Sequence, residues 1–324
     1  MRVLVTGGAG FIGSHVAETL VKAGHAVVVL DDLSTGHRDN VAHLLGHQGF
    51  RFELGSVLDR AQCQRVVAGA DVVVHLAAAV GVKLVVERPV DTIERNVRGT
   101  EHVLEAALAH GCRVFLASTS EVYGKETRAD GALFRETDDV TLGVSMRWSY
   151  ACSKALDEYL ARAYHATRGL GVVIGRLFNT VGPRQTGAYG MVLPRFVDWA
   201  LTGRPIQVYG DGRQVRVFAH VHDTVGALWA LLNEPRADGQ IVNIGGVEPI
   251  TMLELAHRIK ALTGSASEVV LVPYEDVYGA GFEDIRVRVP DLDKLRALVG
   301  YRPEFSLDDI LRDMVEDGRR RLGR

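Results

Sequence analysis

The sequence predicts an α/β fold, a doubly wound parallel sheet joined to a smaller, discontinuous α/β lobe. Three observations carry that reading. Short β-branched runs alternate with helical stretches through the first half of the chain. The first run, Val3-Leu4-Val5-Thr6, passes directly into Gly7-Gly8-Ala9-Gly10-Phe11-Ile12-Gly13. The next, Val27-Val28-Val29-Leu30, ends on Asp31, eighteen residues after Gly13. Near-continuous apolar runs mark strands buried on both faces, and helices between them mark parallel crossovers.

Taken in order, strands are expected at Arg2–Thr6, His25–Asp31, Phe50–Leu54, Val72–Leu76, Arg113–Ser118 and Val172–Arg176. The intervening helices include Gly13–Ala23, Thr92–His110 and Ser149–Arg168. After Arg176 glycine and proline are more frequent and the segments shorten. A loop is expected over Phe178–Gly190, a helix over Pro194–Thr202 and a strand at Ile206–Tyr209. A helix from Asp223, read as its N-cap, precedes Gln240–Ile244, a strand returning to the large sheet. Residues 1–175 and 220–247 are therefore read as one domain, and 176–219 with 248–324 as the other. No internal repeat or low-complexity segment interrupts this order.

The glycine run assigns the first domain its ligand. Gly7 permits a tight turn, Gly10 lets the backbone approach a pyrophosphate, and Gly13 lets the helix pack on the strand. Phe11 and Ile12 are read as further cofactor contacts, and the free N–H groups and positive dipole end of the helix that follows hold a diphosphate. Asp31 accepts from both adenosine ribose hydroxyls and repels a 2′-phosphate, so NAD is favoured over NADP. The first domain reads as an NAD-binding Rossmann fold.

Bulk properties exclude several classes. The chain has 324 residues, 47% hydrophobic and 24% charged, which is ordinary for a soluble enzyme of two domains. Its net charge of −3 carries no footprint for nucleic acid. The basic run from Arg319 to Arg324 is expected to end a helix, where cations suit the dipole. Cys63, Cys112 and Cys152 show no metal or redox spacing, which fits a reducing cytoplasm. Met1-Arg2 runs straight into the first strand, and the apolar stretch Val72–Val86 is broken by His75 and Lys83, so neither signal peptide nor membrane span is expected. His43 with His47, and His220 with His222 and Asp223, lack a third ligand, so no metal is expected. Cys152 is read as a small packing residue.

Catalytic chemistry is expected at Tyr150 and Lys154, four apart at the start of a helix and on one face. A cation there favours the phenolate and lowers the tyrosine toward the range of a general base. Thr119 and Ser120 follow a strand at its carboxyl end, where such sheets place ligands.

With these residues in place, the chain resembles the extended short-chain dehydrogenase/reductases that modify nucleotide sugars. The resemblance spans nearly all of it: Thr6–Gly13, His75-Leu76-Ala77-Ala78, Ser118-Thr119-Ser120-Glu121-Val122-Tyr123-Gly124, Tyr150–Lys154, Arg176–Arg184 and Val208-Tyr209-Gly210-Asp211-Gly212. It implies that Leu76, Ala77 and Ala78 line the NAD site. It also implies that Tyr150 takes the sugar 4-hydroxyl proton, Thr119 shares that hydrogen bond, and Lys154 holds the nicotinamide ribose. The 4-keto intermediate is then reduced on its other face by an epimerase, dehydrated, or decarboxylated.

Family dehydratases carry Asp-Glu after the threonine, whereas this chain has Ser120-Glu121. Thr-Ser-Glu-Val-Tyr-Gly resembles the UDP-glucuronate decarboxylases (UDP-xylose synthases), in which the Ser-Glu pair sits by the substrate carboxyl. Arg147, three before Tyr150, and Arg288 in Arg286-Val287-Arg288-Val289-Pro290-Asp291 add to that likeness. The loop Ala79-Val80-Gly81-Val82-Lys83 is closer to epimerases, and Glu121 can also be read as a loop acid capping a backbone N–H. Decarboxylation of UDP-glucuronate is favoured, with 4-epimerisation of a UDP-sugar as the alternative. A non-catalytic NAD-sensing scaffold is disfavoured by the intact Thr119, Tyr150 and Lys154.

Candidate substrate contacts are Lys83, Arg147, Asn179, Arg184, Val192, Arg195, Tyr209, Arg216 and Arg288. Asn179 and Arg216 suit diphosphate oxygens, Tyr209 suits stacking near the base, and Arg288 offers a bidentate fork to phosphate. The stretch from Gly187 to Pro194 is expected to wrap the nucleotide–sugar junction. The family's paired helices, here Thr92–His110 and Ser149–Arg168, imply a homodimer.

Overall fold

The computed structural model describes residues 1–81, 85, 88–125, 132–188, 191–279 and 284–323. β1 (Arg2–Thr6) leads through the glycine turn into α1 (Phe11–Lys22). There follow β2 (Ala26–Asp31), β3 (Phe50–Leu54), α2 (Arg60–Val67), β4 (Val72–His75), α3 (Pro89–His110), β5 (Arg113–Thr119), α4 (Ser149–Arg168) and β6 (Val172–Leu177). The next elements are β7 (Thr180–Val181), α5 (Val192–Thr202), β8 (Ile206–Tyr209), β9 (Val215–Arg216), β10 (Ala219–His220) and α6 (Val221–Leu232). Last come β11 (Ile241–Ile244), β12 (Ile250–Thr251), α7 (Met252–Thr263), β13 (Val269–Val272), α8 (Tyr274–Tyr278), β14 (Val287–Arg288), α9 (Asp293–Val299) and α10 (Leu307–Arg321).

Seven strands form one sheet in the order β3-β2-β1-β4-β5-β6-β11, and every pair in it is parallel. The order reverses between β1 and β4, which opens a crevice at their carboxyl ends, the ligand position of this sheet class. Side chains alternate across the sheet, and both faces are covered. Val5, Val29 and Val74 pack with Val16 and Leu20 of α1 and Leu228 of α6. Leu4, Val73 and Leu116 pack with Val66 of α2, Leu104 of α3 and Ala161 of α4. Burial on both sides explains the unbroken apolar runs, each such side chain contributing about 1.5–3 kcal/mol.

A separate core joins Phe196 of α5, Val208 of β8, Leu255 and Ile259 of α7, and Ile310 and Met314 of α10. A fourth, aromatic cluster of Tyr123, Phe134, Trp148, Phe178 and Ile285 sits under the carboxyl end of β5. The C-terminal stretch divides its packing: Leu292, Leu295 and Tyr301 join the core of the large sheet, and α10 joins the smaller one.

Several elements differ from expectation. The helix from Asp223 begins at Val221, and its cap is His220, whose ring accepts from the His222 N–H at 3.3 Å. Asp223 lies inside the first turn and accepts instead from the backbone N–H groups of Glu304 and Phe305 at 2.9 and 3.3 Å. The expected loop over Phe178–Gly190 contains β7, which pairs with β10 and is too short to carry a periodic signal. α1 starts at Phe11 and α3 at Pro89, a residue already set for a first helical turn. α2 was unforeseen, although Asp59 caps it by accepting from Gln62 N–H at 3.0 Å. Arg319–Arg321 form the last turn of α10, as expected. Among the described residues, no helix is long and apolar enough to cross a membrane. No group of three or more potential ligands stands where it could hold a metal, again among the described residues.

Candidate active site

One cavity of about 650 Å³ runs from the glycine turn across the carboxyl ends of β1, β4 and β5 into the smaller lobe. At its first end Gly7 has φ +70°, and a Cβ there would lie 2.8 Å from the Ala77 nitrogen. A Cβ on Gly13 would lie 2.2 Å from the Gly7 carbonyl oxygen. The first turn of α1 has no side-chain cap, and Gly10, Phe11, Ile12 and Gly13 line the cavity there. Asp31 closes this end, its carboxylate fixed by the N–H groups of Ala9 (2.9 Å) and Leu33 (2.8 Å). Each oxygen keeps a further lone pair for a ribose hydroxyl. Leu76, Ala77 and Ala78 form the adjoining wall. This cradle fits a dinucleotide.

At the centre, Thr119 ends β5 and caps the turn Ser120–Tyr123 by accepting from the Glu121 N–H at 3.2 Å. Tyr150, at the start of α4, lines the same cavity as Thr119, whose hydroxyl favours its ionised form. Thr119 and Tyr150 thus stand on one wall of the cavity. Lys154 behaves differently. It is buried outside the cavity wall, and its ammonium donates to Asp157 Oδ2 at 2.7 Å. The expected lowering of Tyr150 by Lys154 is not found. Burial first, and then the Glu121 and Asp157 carboxylates, push the phenol up, against a smaller opposing effect of the Thr119 hydroxyl. Behind the site His75 accepts or donates between Thr6 (2.7 Å) and Thr100 (3.2 Å). Burial and the Lys154 charge hold it neutral, at about 3.

Glu121 is not a backbone cap. Its Oε2 accepts from Arg147 Nη1 at 2.6 Å and its Oε1 from Arg288 Nη1 at 3.0 Å. Burial alone would raise this carboxyl, but the two guanidiniums outweigh it and hold the group at about 2. Arg147 lies on the short turn Met146–Trp148 that feeds α4, stacked 4.7 Å over the Trp148 ring. Arg288 comes from β14 and also donates to Asn179 Oδ1 at 2.6 Å. Its two terminal nitrogens are therefore engaged by a carboxylate and an amide, while Nε has no hydrogen-bond partner. Ser120 is buried beside Glu121 and lines the same cavity.

The far end belongs to the smaller lobe. Arg216 pairs with Asp284 at 3.0 Å, and Tyr274 donates to the same carboxylate at 2.6 Å. Arg195 donates to the Tyr209 hydroxyl at 3.0 Å and stacks 4.9 Å over its ring, while Tyr278 meets that ring edge-on. Val192 starts α5 at this wall. Arg184 lines the cavity, but its guanidinium is held by Glu18 and Ser14 of α1. Lys83, with Tyr189 and Gly190 of the expected wrapping stretch, lies outside the described residues. Asp157 and Asp284 were missed. A Lys-x-x-Asp spacing signals the first, whereas only folding brings the second to Arg216. Cys152 is exposed on α4 rather than packed.

Residues 3–245 match the NAD dependent epimerase/dehydratase family. The chain is 43% identical to UDP-N-acetyl-alpha-D-glucosaminuronate decarboxylase of Bacillus cytotoxicus, over 97% of each chain. It is 34% identical to UDP-glucuronic acid decarboxylase 1 of Danio rerio, over 97% of this chain and 72% of that one. Among solved structures it is similar to the Thermus thermophilus UDP-glucose 4-epimerase complex with NAD. That match has a TM-score of 0.87 and 33% identity, over 98% of this chain and 99% of the other.

Proposed function

We propose that this chain, which belongs to the NAD dependent epimerase/dehydratase family, decarboxylates a UDP-hexuronate through a 4-keto intermediate, with UDP-glucuronate the first candidate. The cofactor is NAD, for which Gly7, Gly10, Phe11, Ile12, Gly13, Asp31 and Leu76–Ala78 form the cradle. Bound there, NAD supplies a hydride acceptor, later a donor, and a positive charge that favours a phenolate. Tyr150 takes the 4-hydroxyl proton, and Thr119 keeps its oxygen aimed at the sugar. The resulting ketone stands β to the C5 carboxylate. The C5–C6 bond then breaks, its electron pair passes into the enolate, and carbon dioxide leaves. C5 takes a proton, and Tyr150 returns its own when C4 is reduced. Lys154, oriented by Asp157, is read as the ribose ligand.

The observation that carries this reading is the charge around the sugar end of the cavity. Among the described residues, the guanidiniums of Arg147 and Arg288 meet the Glu121 carboxylate, and Arg216 meets Asp284. Guanidiniums lining a cavity suit an anionic substrate, because they make charge-assisted, bidentate hydrogen bonds to a carboxylate. A neutral hexose has no carboxylate at C5 to offer them. The curated relative that carries an N-acetyl group in its named substrate makes UDP-N-acetylglucosaminuronate a second candidate. Dehydration is disfavoured because Ser120 stands where an acid would protonate the leaving hydroxyl.

Purified protein incubated with each UDP-hexuronate is expected to release carbon dioxide and a UDP-pentose from at least one. Formation of the C4 epimer alone, with the carboxyl retained, overturns decarboxylation in favour of the epimerase.

Cofactor binding is assigned to residues 1–175 and 220–247, and nucleotide-sugar binding to 176–219 and 248–324. The chain is also read as a homodimer. The adjacent helices α3 and α4 leave Val90, Ile93, Cys152, Leu156 and Tyr159 exposed, an apolar surface that a second copy would cover. Light scattering is expected to give twice the chain mass, and a monomer removes this reading. Three unpaired cysteines fit a cytoplasmic location. Recovery in a secreted or membrane fraction would contradict that.

A further inference from the structure

We propose that Gln185 is a cofactor ligand that the sequence did not single out. Its side-chain carbonyl accepts from the carboxamide N–H of NAD and so sets which face of the nicotinamide is turned to the sugar. This rests on the bound NAD and not on the fate of the 4-keto sugar, so it stands apart from the decarboxylase reading.

Gln185 is 7% exposed and lines the central cavity. Its Nε2 donates to the Thr180 carbonyl at 3.1 Å. A carbonyl only accepts, so this bond fixes which end of the amide is nitrogen and which is oxygen. Oε1 is then a buried acceptor with no hydrogen-bond partner among the described residues. Leaving such an atom unfilled is costly, so a cavity wall that keeps one is built to meet a donor. Among the described residues, only Gln185 Oε1 and Arg288 Nε are buried, unpartnered side-chain atoms of residues lining this cavity. The second is a donor, at the sugar end.

The turn that carries Gln185 is fastened to the cofactor half of the molecule. His15 of α1 donates from Nε2 to the Pro183 carbonyl at 2.9 Å. Arg184 reaches Ser14 Oγ at 3.3 Å and the Glu18 carboxylate on the same helix. The Gln185 N–H donates to the Gly182 carbonyl at 3.3 Å and closes the turn. Arg184 takes φ +70°, a conformation costly for a residue with a Cβ and kept only where the surroundings impose it. The amide is therefore presented by a turn clamped to α1 on one side and to β7 on the other.

That placement selects the donor. Diphosphate oxygens only accept, so they cannot fill Oε1. The adenosine ribose belongs to Asp31, beyond the glycine turn. The clamped turn stands between α1, which takes the diphosphate, and the end of β6, where Leu177 is the register partner of Thr119. Leu177, Thr180, Val181 and Gln185 all line the cavity there. A nicotinamide tied to that diphosphate must cross this stretch to face a sugar at Thr119 and Tyr150. The donor it carries is the carboxamide amino group. Held by that group, the ring keeps one face toward the sugar for both hydride transfers.

Displacement of NAD from the full, NAD-loaded chain tests the assignment. The competitors are labelled NAD, 3-acetylpyridine adenine dinucleotide, in which a methyl group replaces the carboxamide nitrogen, and ADP-ribose, which has no nicotinamide. The wild type is expected to need about tenfold more of the acetylpyridine dinucleotide than of labelled NAD, because the methyl leaves Oε1 unfilled. In Gln185→Leu that preference should shrink to within about twofold, with ADP-ribose held within about threefold of its wild-type value. Gln185→Met, unbranched and of similar length, should behave the same, and the melting temperature reports folding of both.

A wild type that takes both dinucleotides equally overturns the assignment without any variant. So does a preference that survives intact in Gln185→Leu. Equal weakening of NAD and ADP-ribose makes Gln185 a support of its turn and overturns it as well. An unchanged dinucleotide preference with weakened UDP-glucuronate gives Oε1 to a sugar hydroxyl, and the assignment falls. None of these measurements needs turnover, so each is read apart from carbon dioxide release.

Discussion

Replacing Tyr150 by Phe is expected to lower turnover of the UDP-hexuronate about a thousandfold, the contribution of a positioned general base. That corresponds to about 4 kcal/mol of barrier. Phe keeps the shape and burial of the ring and removes only the hydroxyl. NAD content and nucleotide affinity should therefore stay within about threefold. The site explains why this oxygen matters. Tyr150 sits among groups that hold it as a neutral phenol: its burial first, then Glu121 and Asp157. Lys154 spends its charge on Asp157 rather than on the phenol. On the proposed reading, ionisation of Tyr150 is expected once the positively charged cofactor is bound. Steady-state kinetics with bound NAD measured in parallel checks this. A variant retaining more than about a tenth of wild-type turnover would place the base elsewhere.

The second large effect concerns Glu121. Glu121→Gln keeps the side-chain shape but leaves Arg147 and Arg288 buried without their carboxylate, at a cost of roughly 3–5 kcal/mol. For a chain of this size that is a fall in melting temperature on the order of 10 °C. The pH dependence has a definite sign. The carboxyl is depressed from 4.5 to about 2 in the fold, so its stabilisation is complete above pH 4.5. It is lost as pH falls through about 2. The gap between wild type and Glu121→Gln should be constant at neutral pH and narrow as pH falls below 4.5. Thermal melts across that range check it. A variant melting within about 1 °C of wild type at pH 7 would mean that the guanidiniums find other compensation.

What was legible in the sequence is what depends on near neighbours. The glycine turn, Asp31 and the Tyr150–Lys154 spacing each express a local requirement of backbone or helix face, and the sheet lies where the apolar runs placed it. Partnerships between distant residues were not legible. Glu121 meets Arg288 across 167 positions, and Arg216 meets Asp284 across 68. No periodicity encodes either. Lys154 shows the limit even at short range: its spacing from Tyr150 was visible, but the carboxylate of Asp157 determines where its charge goes. Asp223 is a similar case. It is the better cap by type, yet the N–H groups of Glu304 and Phe305 claim it, and His220 caps the helix.

The central claim is that oxidation at C4 serves the loss of the C5 carboxylate. It is tested most directly with UDP-glucuronate labelled with ¹³C at the carboxyl, turned over by the NAD-loaded protein in D₂O. The expected result is labelled carbon dioxide and a UDP-pentose carrying deuterium at C5, with the original hydrogen kept at C4. Retention of the label in a UDP-hexuronate inverted at C4 would contradict the account.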